Sequence, residues 1–278
     1  NVGDLSETQI GAMTTTQVAA FSAANTHALV ETQVAALSAN QVAAMTTTQI
    51  AGLDATDIGE LAATHIAAMT TSQIQTLSAT NLAAFADTQV AALTATQLGV
   101  ITATKLAGLD ETQVAAFTTT QMAALSTSQL AAFNATKVSA FADTQIAALS
   151  ATQVRAFTVT QLNALQPPDI GEFTTTQVAG MSTTQIAGMN ATVVGALTDT
   201  QIGALSATQL QAMLAANVHA LNATQVAGLD NTQVAALTAA QITAMDATDI
   251  GEFSADQVAH MTTTQIKAFN STKLAALD

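Results

Sequence analysis

The chain has 278 residues, of which 49% are hydrophobic and only 9% are charged, and its formal net charge is -14. This apolar content excludes a disordered polyelectrolyte, and the negative charge argues against binding to nucleic-acid phosphates. Cysteine is absent, which excludes a disulfide scaffold, and no uninterrupted apolar stretch approaches the length of a membrane span.

From residue 6 to residue 277 the chain divides into 34 consecutive octads without insertion or deletion, and residues 198–205 are typical of them. The consensus is Ser/Thr-x-Thr-Gln-Val/Ile-Ala-Ala-Leu. A fixed short period indicates one small unit stacked many times, so we expect a single continuous array over residues 1–278. Asn1 to Leu5 fit positions four to eight of an octad and Asp278 begins another. We therefore expect the array to be a segment of a longer chain.

Each octad carries the signals that start a helix. Position one is Ser, Thr, Asp or Asn in 28 of the 34 octads, and position four is Gln in 23. This pair is a capping box, in which each side chain bonds the other residue's backbone N–H. Position eight is always large and apolar, and position five is apolar except at Thr26. Two apolar residues placed around a cap form a hydrophobic staple.

The positions of the glycines and prolines fit the same short helix. All 13 glycines lie at positions six or seven, where we expect the helix to end and the chain to turn. Pro167 and Pro168 lie at positions two and three, in the first turn, where a missing N–H costs little. The octad therefore predicts a helix of about six residues that begins after position one.

These signals predict an all-α solenoid with one short capped helix per octad. In one long helix, eight residues advance about 80° beyond two turns, so the apolar stripe would circle the rod. A β-solenoid is the alternative, since an even period keeps each residue on one face. We expect positions five and eight to form the core, and Thr, Gln and Ala to form the exterior.

Three octads carry an unusual set of acids. Asp54-Ala-Thr-Asp-Ile-Gly-Glu-Leu61 recurs as Asp246-Ala-Thr-Asp-Ile-Gly-Glu-Phe253, and Gln166-Pro-Pro-Asp-Ile-Gly-Glu-Phe173 is a partial copy. Carboxylates spaced by three could gather oxygen ligands for calcium, but the alternate-residue pattern of a calcium loop is absent. We expect no metal site. The candidates for calcium are Asp54, Asp57, Glu60, Asp246, Asp249 and Glu252.

Histidines and cations are scattered along the chain. No two of the four histidines have the spacing of helical zinc ligands, so we expect them to face solvent. They are His27, His65, His219 and His260. Lys105, Lys137 and Lys273 replace Gln at position four. We expect the cations to pair with acids on adjacent octads or chains.

The hydroxyl groups are explained by capping, and no nucleophile motif or phosphate-binding glycine motif is present. The sequence therefore predicts no enzyme, no catalytic residue and no cofactor.

The phrase Leu-Thr/Ser-x-Thr-Gln-Val/Ile-Ala-Ala runs through the chain, with Leu93-Thr-Ala-Thr-Gln-Leu and Leu149-Ser-Ala-Thr-Gln-Val as examples. It resembles the octapeptide arrays of very large bacterial secreted or surface proteins of the adhesin-like type. The resemblance covers practically the whole chain. It implies an extracellular or cell-surface location and a fibrous or stalk-like role.

These observations predict a structural protein that forms an extracellular rod, stalk or self-associating filament. Its expected partner is itself, through lateral or end-to-end contacts, and neither nucleic acid nor a membrane span is expected. The alternative is a binding module that uses a repeated surface to hold ice, a glycan or calcium. Thr at position three in 26 octads is the basis for that alternative.

Overall fold

The computed structural model of the chain describes residues 2–277, and it forms one short α-helix in each octad. The 34 helices of these residues have four to six residues each, and short 3-10 helices cover Val2–Asp4 and Ala275–Leu277. No strand occurs in this part of the chain. The all-α solenoid is confirmed and the β-solenoid alternative is wrong.

The chain divides into two compact units, the first ending at Ala140 and the second beginning at Phe141. In the first unit, α1 to α17 are Glu7–Gly11, Thr15–Ala19, Ala23–His27, Glu31–Ala36, Ala39–Ala44, Thr47–Ala51, Ala55–Glu60, Ala63–Ala68, Thr71–Thr76, Ala79–Ala83, Asp87–Ala92, Ala95–Val100, Ala103–Leu106, Glu111–Ala115, Thr119–Ala124, Thr127–Ala132 and Ala135–Val138. In the second unit, α18 to α34 are Asp143–Ala147, Ala151–Arg155, Val159–Leu162, Pro167–Gly171, Thr175–Ala179, Thr183–Gly188, Ala191–Ala196, Asp199–Gly203, Ala207–Ala212, Ala215–His219, Ala223–Ala227, Asn231–Ala236, Ala239–Ala244, Ala247–Gly251, Ala255–Ala259, Thr263–Ile266 and Ser271–Leu274.

Capping boxes start most of the helices, as the sequence predicts. In α15 the backbone N–H of Thr118 donates to Gln121 Oε1 at 2.7 Å, and the N–H of Gln121 donates to Thr118 Oγ1 at 3.2 Å. A helix of six residues is too short to be stable by itself. The caps therefore fix where each helix begins, and packing between octads must supply the stability.

The chain turns between helices through extended residues. After α15, Leu125 (φ -60°, ψ 134°) and Ser126 (φ -71°, ψ 158°) are both extended. No residue from 2 to 277 has a positive φ, so the glycines are not used for left-handed turns. Gly228 instead permits a close approach, because a Cβ there would lie 2.6 Å from the carbonyl oxygen of Asp199.

Successive turns of the coil are joined by the side chain at position four. Gln121 Nε2 donates to the carbonyl oxygens of Val90 at 2.8 Å and Leu93 at 2.6 Å, which lie 31 and 28 residues earlier. Gln241 makes the same two bonds in the second unit. We call these bonds the position-four ladder. Helices three octads apart also pack together, as α5 does with α8, so one turn takes between three and four octads.

From Gln33 onward the position-four glutamines are consequently buried, and the expectation that Gln lies on the exterior is wrong for them. Gln121 is 2% exposed because its amide lies between two turns and bonds both. A buried amide costs free energy unless its donors and its acceptor are satisfied, and the ladder satisfies them.

Positions five and eight form the core, as expected. Val90 at position five is fully buried and Leu93 at position eight is 4% exposed. Burying such a side chain stabilises the fold by about 1.5–3 kcal/mol. The rings of Phe117 and Phe133, both at position eight, lie 6.4 Å apart between centroids. Within residues 2–277, none of the helices has the length and apolar character that crossing a membrane requires.

Candidate functional site

The chemistry of the chain gathers at two of the acidic octads, residues 54–61 and 246–253. In the first, Asp54 caps α7, since its Oδ1 accepts the backbone N–H groups of Thr56 at 2.8 Å and Asp57 at 3.0 Å. The N–H of Asp54 donates to Asp57 Oδ2 at 2.8 Å. Asp57 therefore takes the place of the capping-box Gln.

Asp57 reverses the direction of the position-four ladder. A carboxylate has no hydrogen to donate, so it cannot bond the carbonyls that a Gln bonds. A donor comes instead from the preceding turn, where His27 Nδ1 lies 2.6 Å from Asp57 Oδ2, across 30 residues of sequence. The side chain of Asp57 is 11% exposed and that of His27 is 52% exposed.

The second acidic octad repeats this arrangement 192 residues later. His219 Nδ1 lies 2.5 Å from Asp249 Oδ2, and Asp246 caps α31 through the N–H groups of Thr248 and Asp249. The two octads that supply the histidines share the sequence Ala-Ala-Asn-x-His-Ala-Leu at positions two to eight. We call the two groups the His27 cluster (His27, Asp54 and Asp57) and the His219 cluster (His219, Asp246 and Asp249).

Helix ends place each charge where the backbone favours it. His27 is the last residue of α3 and His219 is the last residue of α27, and the C-terminus of a helix favours a cation. Asp54 and Asp246 are N-caps, and the N-terminus favours an anion. Each cluster thus lies where the end of one helix meets the start of another.

The pKa values follow from these contacts. Hydrogen bonding to Asp57, and then the charge of Asp57, raises the pKa of His27, and Asp249 raises the pKa of His219 in the same way. The backbone N–H of Asp57 lowers the pKa of the Asp54 carboxyl. The arrangement therefore favours a protonated imidazole in each cluster and the ionised form of the Asp54 carboxyl.

A third carboxyl adjoins each cluster. Glu60 Oε2 and Glu252 Oε2 are buried and have no hydrogen-bond partner among the described residues. Burial raises the pKa of both carboxyls, and the charge of Asp57 or Asp249 raises it further. Each cluster therefore has an unsatisfied carboxyl oxygen beside it.

The partial copy at residues 166–173 is built differently. Asp169 is 6% exposed, and the residue thirty positions before it in the sequence is Ser139 rather than a histidine. Burial raises the pKa of the Asp169 carboxyl, and the neighbouring carboxyl of Asp143 raises it further. Asp169 therefore faces a second acid, Asp143, and no histidine stands at the position that holds one in the two clusters.

Two other position-four substitutions, His65 and Lys273, keep a bond to the preceding turn. His65 is 3% exposed, because its Nδ1 accepts the N–H of Ala62 and its Nε2 donates to the carbonyl of Leu37 at 2.8 Å. The expectation that it faces solvent is wrong. Lys273 Nζ donates to the carbonyls of Ile242 and Thr243, so its ammonium bonds the backbone of the preceding turn.

The remaining histidine is a useful contrast. His260 is exposed, and its Nδ1 donates to the carbonyl of Asp256 within its own octad at 2.7 Å. It belongs to neither cluster, although it also lies beside an acid.

Four of the six calcium candidates are brought together with a histidine. The ligand atoms of His27, Asp54 and Asp57 all lie within 4.8 Å of one another, and those of the His219 cluster do the same. Glu60 and Glu252, the other two candidates, are not members of these groups. Spacing along one octad could not show this, since the histidine belongs to the preceding turn.

Comparison with known proteins does not place the chain in a family. No family model matches the chain, and none of the curated proteins matches it. The regular array of short helices is confirmed by the structure, and the resemblance to adhesin-like octapeptide arrays remains a prediction from the repeat phrase.

Proposed function

We propose that the chain is a structural protein, a part of an extracellular rod, stalk or self-associating filament. The observation that supports this most is the position-four ladder. Gln41 bonds the carbonyls of Ile10 and Met13, and Gln185 bonds those of Val154 and Phe157, always in the octad four before. Octads can therefore be added without any change in the contacts of those already stacked.

The first two position-four glutamines of the described chain make only the cap half of the ladder contacts. Gln9 and Gln17 in the first turn accept the N–H groups of their caps, as every ladder Gln does. No earlier octad in the described chain offers carbonyls to their Nε2 groups.

The outer surface also favours association between copies. Position three is exposed in every octad, and it is Thr in 26 of them, as at Thr176, Thr200 and Thr224. Only 9% of the residues are charged, so little charge repulsion opposes close lateral contact. The proposed location at the cell surface or outside the cell rests on the resemblance to surface-protein arrays.

Electron microscopy combined with sedimentation over a range of concentrations tests this function. We expect rods or filaments whose share increases with concentration. Isolated monomeric particles at every concentration would contradict the proposal.

A surface variant sharpens the test. Changing Thr176, Thr200 and Thr224 together to Asp adds charge at exposed positions and leaves the core intact, so we expect association to weaken. The matched control changes the same three residues to Ser and should associate as the wild type does. Equal association by the two variants would exclude lateral contact through this surface.

The exposed Thr at position three favours a second candidate, a surface-binding module. A regular array of hydroxyl and methyl groups is suited to ice or to a crystalline polymer. Thermal hysteresis and the shaping of ice crystals test the ice-binding form. Absence of both effects at high protein concentration would remove it.

A further inference from the structure

We propose that the His27 cluster and the His219 cluster are two equivalent binding sites for a divalent first-row transition metal ion such as Zn²⁺. The proposal goes beyond the structural role and does not depend on it. Each cluster offers one imidazole nitrogen and two carboxylate oxygens, whose ligand atoms lie within 4.8 Å of one another. Imidazole and carboxylate are ordinary ligands of zinc, at about 2.0–2.2 Å.

The side chains can close around an ion with small movements. His27 is exposed and can rotate, whereas Asp54 is held by the N–H groups that its Oδ1 accepts and Asp57 is held by the N–H of Asp54. The ion would take the place of the hydrogen between His27 Nδ1 and Asp57 Oδ2. An imidazolium releases one proton to solvent in that exchange, and the neutral ring keeps its hydrogen on Nε2.

A second observation points to a cation at the same place. Among the described residues, the buried side-chain oxygens that lack a hydrogen-bond partner are Glu60 Oε2 and Glu252 Oε2, one beside each cluster. Each site therefore holds two carboxylates and one imidazole, with an unpartnered buried carboxyl oxygen beside them. A bound divalent cation would offset this negative charge better than the imidazolium does.

The duplication argues against chance. The same three residue types recur with the same separations, from His27 to Asp54 and Asp57 and from His219 to Asp246 and Asp249. The partial copy at residues 166–173 lacks both the cap aspartate and the histidine, and its Asp169 belongs to no such group.

The ligand atoms of each cluster are poorly suited to calcium. Calcium takes six to eight oxygen ligands, whereas each cluster offers a nitrogen and two carboxylates. A transition metal therefore fits the residues better than the calcium suggested by the acids alone.

Titration of the chelator-treated full chain with ZnCl₂, followed by native mass spectrometry and calorimetry, tests the proposal. We expect two equivalents per chain for the wild type, one for His27→Ala, and none for the double variant His27→Ala/His219→Ala. The control His260→Ala should still bind two. Two equivalents retained by the double variant, or no binding by the wild type, would overturn the proposal.

A ligand variant that preserves the cap separates metal binding from folding. Asn caps helices about as well as Asp, so Asp54→Asn should fold normally and lose about tenfold or more in Zn²⁺ affinity at its own site. Asp230→Asn is the matched control and should bind as the wild type does. Equal affinity in the two variants, or tighter binding of Ca²⁺ than of Zn²⁺ by the wild type, would contradict the assignment.

Discussion

Ordinary octads and acidic octads differ at position four, and that difference changes how two turns of the coil are joined. In an ordinary octad, Gln121 accepts an N–H from its own cap and donates to the carbonyls of Val90 and Leu93 on the preceding turn. In an acidic octad, Asp57 accepts from its own cap and also from His27 on the preceding turn. An amide can be donor and acceptor at once, whereas a carboxylate only accepts. Each Asp at position four therefore needs a donor supplied from elsewhere.

The largest expected effect comes from removing the donor half of the amide. Gln121→Glu keeps the acceptor for the cap but turns a second oxygen toward two carbonyls, so we expect a loss of about 3 kcal/mol in the free energy of unfolding at pH 7. The loss should be smaller at pH 4, since a protonated carboxyl can donate again. Denaturant unfolding at the two pH values measures it.

The matched control lies in the first turn. Gln17 is exposed and has no carbonyls of an earlier turn to bond, so Gln17→Glu should change stability by less than about 0.5 kcal/mol. Equal losses of stability in the two variants would mean that the bonds from Gln121 to the preceding turn add no stability. The capping box alone would then explain why Gln recurs at position four.

The next effect concerns the acidic octad that lacks a histidine. Burial, and then the charge of Asp143, raise the pKa of the Asp169 carboxyl. The folded state therefore favours the protonated carboxyl, and it loses stability as the pH rises through that pKa. Asp169→Asn removes the charge and supplies a donor, and we expect about 1 kcal/mol of stabilisation at pH 7. The gain should disappear near pH 3, where Asp169 is protonated. A variant less stable than the wild type at pH 7 would contradict this account.

The smallest effect is the pH dependence of the two clusters. The pKa values of His27 and His219 are raised above the ordinary value of 6.5, so their contribution is fully present below about pH 6.5 and is lost as the pH rises through the folded values. In the presence of a chelator, the double variant His27→Gln/His219→Gln should therefore melt a few degrees lower than the wild type at pH 6. The difference should shrink by pH 9.

His260→Gln is the control for this measurement, since His260 bonds only within its own octad. It should leave the pH profile of the melting temperature unchanged. A constant difference between wild type and double variant from pH 6 to pH 9 would show that the clusters do not titrate as described.

The sequence predicts the local part of this fold well. Capping boxes, the core at positions five and eight, and the prolines at the start of α21 all depend on residues within one octad. Each is decided by backbone hydrogen bonds and burial over eight residues. The expectation for the glycines holds in part, since α1 and α25 end at Gly11 and Gly203, but the chain turns through extended residues such as Leu125 and Ser126.

The contacts between turns were harder to predict, because nothing in one octad states how many octads complete a turn. One signal was present. A capping box accepts Glu as readily as Gln, yet position four is Gln in 23 octads and never Glu. The reason is that Gln has amide hydrogens and an ionised Glu has none. Gln121 donates these hydrogens to the carbonyl oxygens of Val90 and Leu93. The clusters had a similar signal, since His27 and His219 both lie thirty residues before an Asp at position four.

Hydrogen exchange at the glutamine side-chain amides, followed by NMR, tests the position-four ladder most directly. The Nε2 protons of Gln121 and Gln241, which are bonded between turns, should exchange far more slowly than those of a free amide. Gln9 and Gln17 provide the comparison within the same molecule and should exchange at the free rate. Equal exchange rates for all four glutamines would contradict the claim that the position-four side chains hold the turns together.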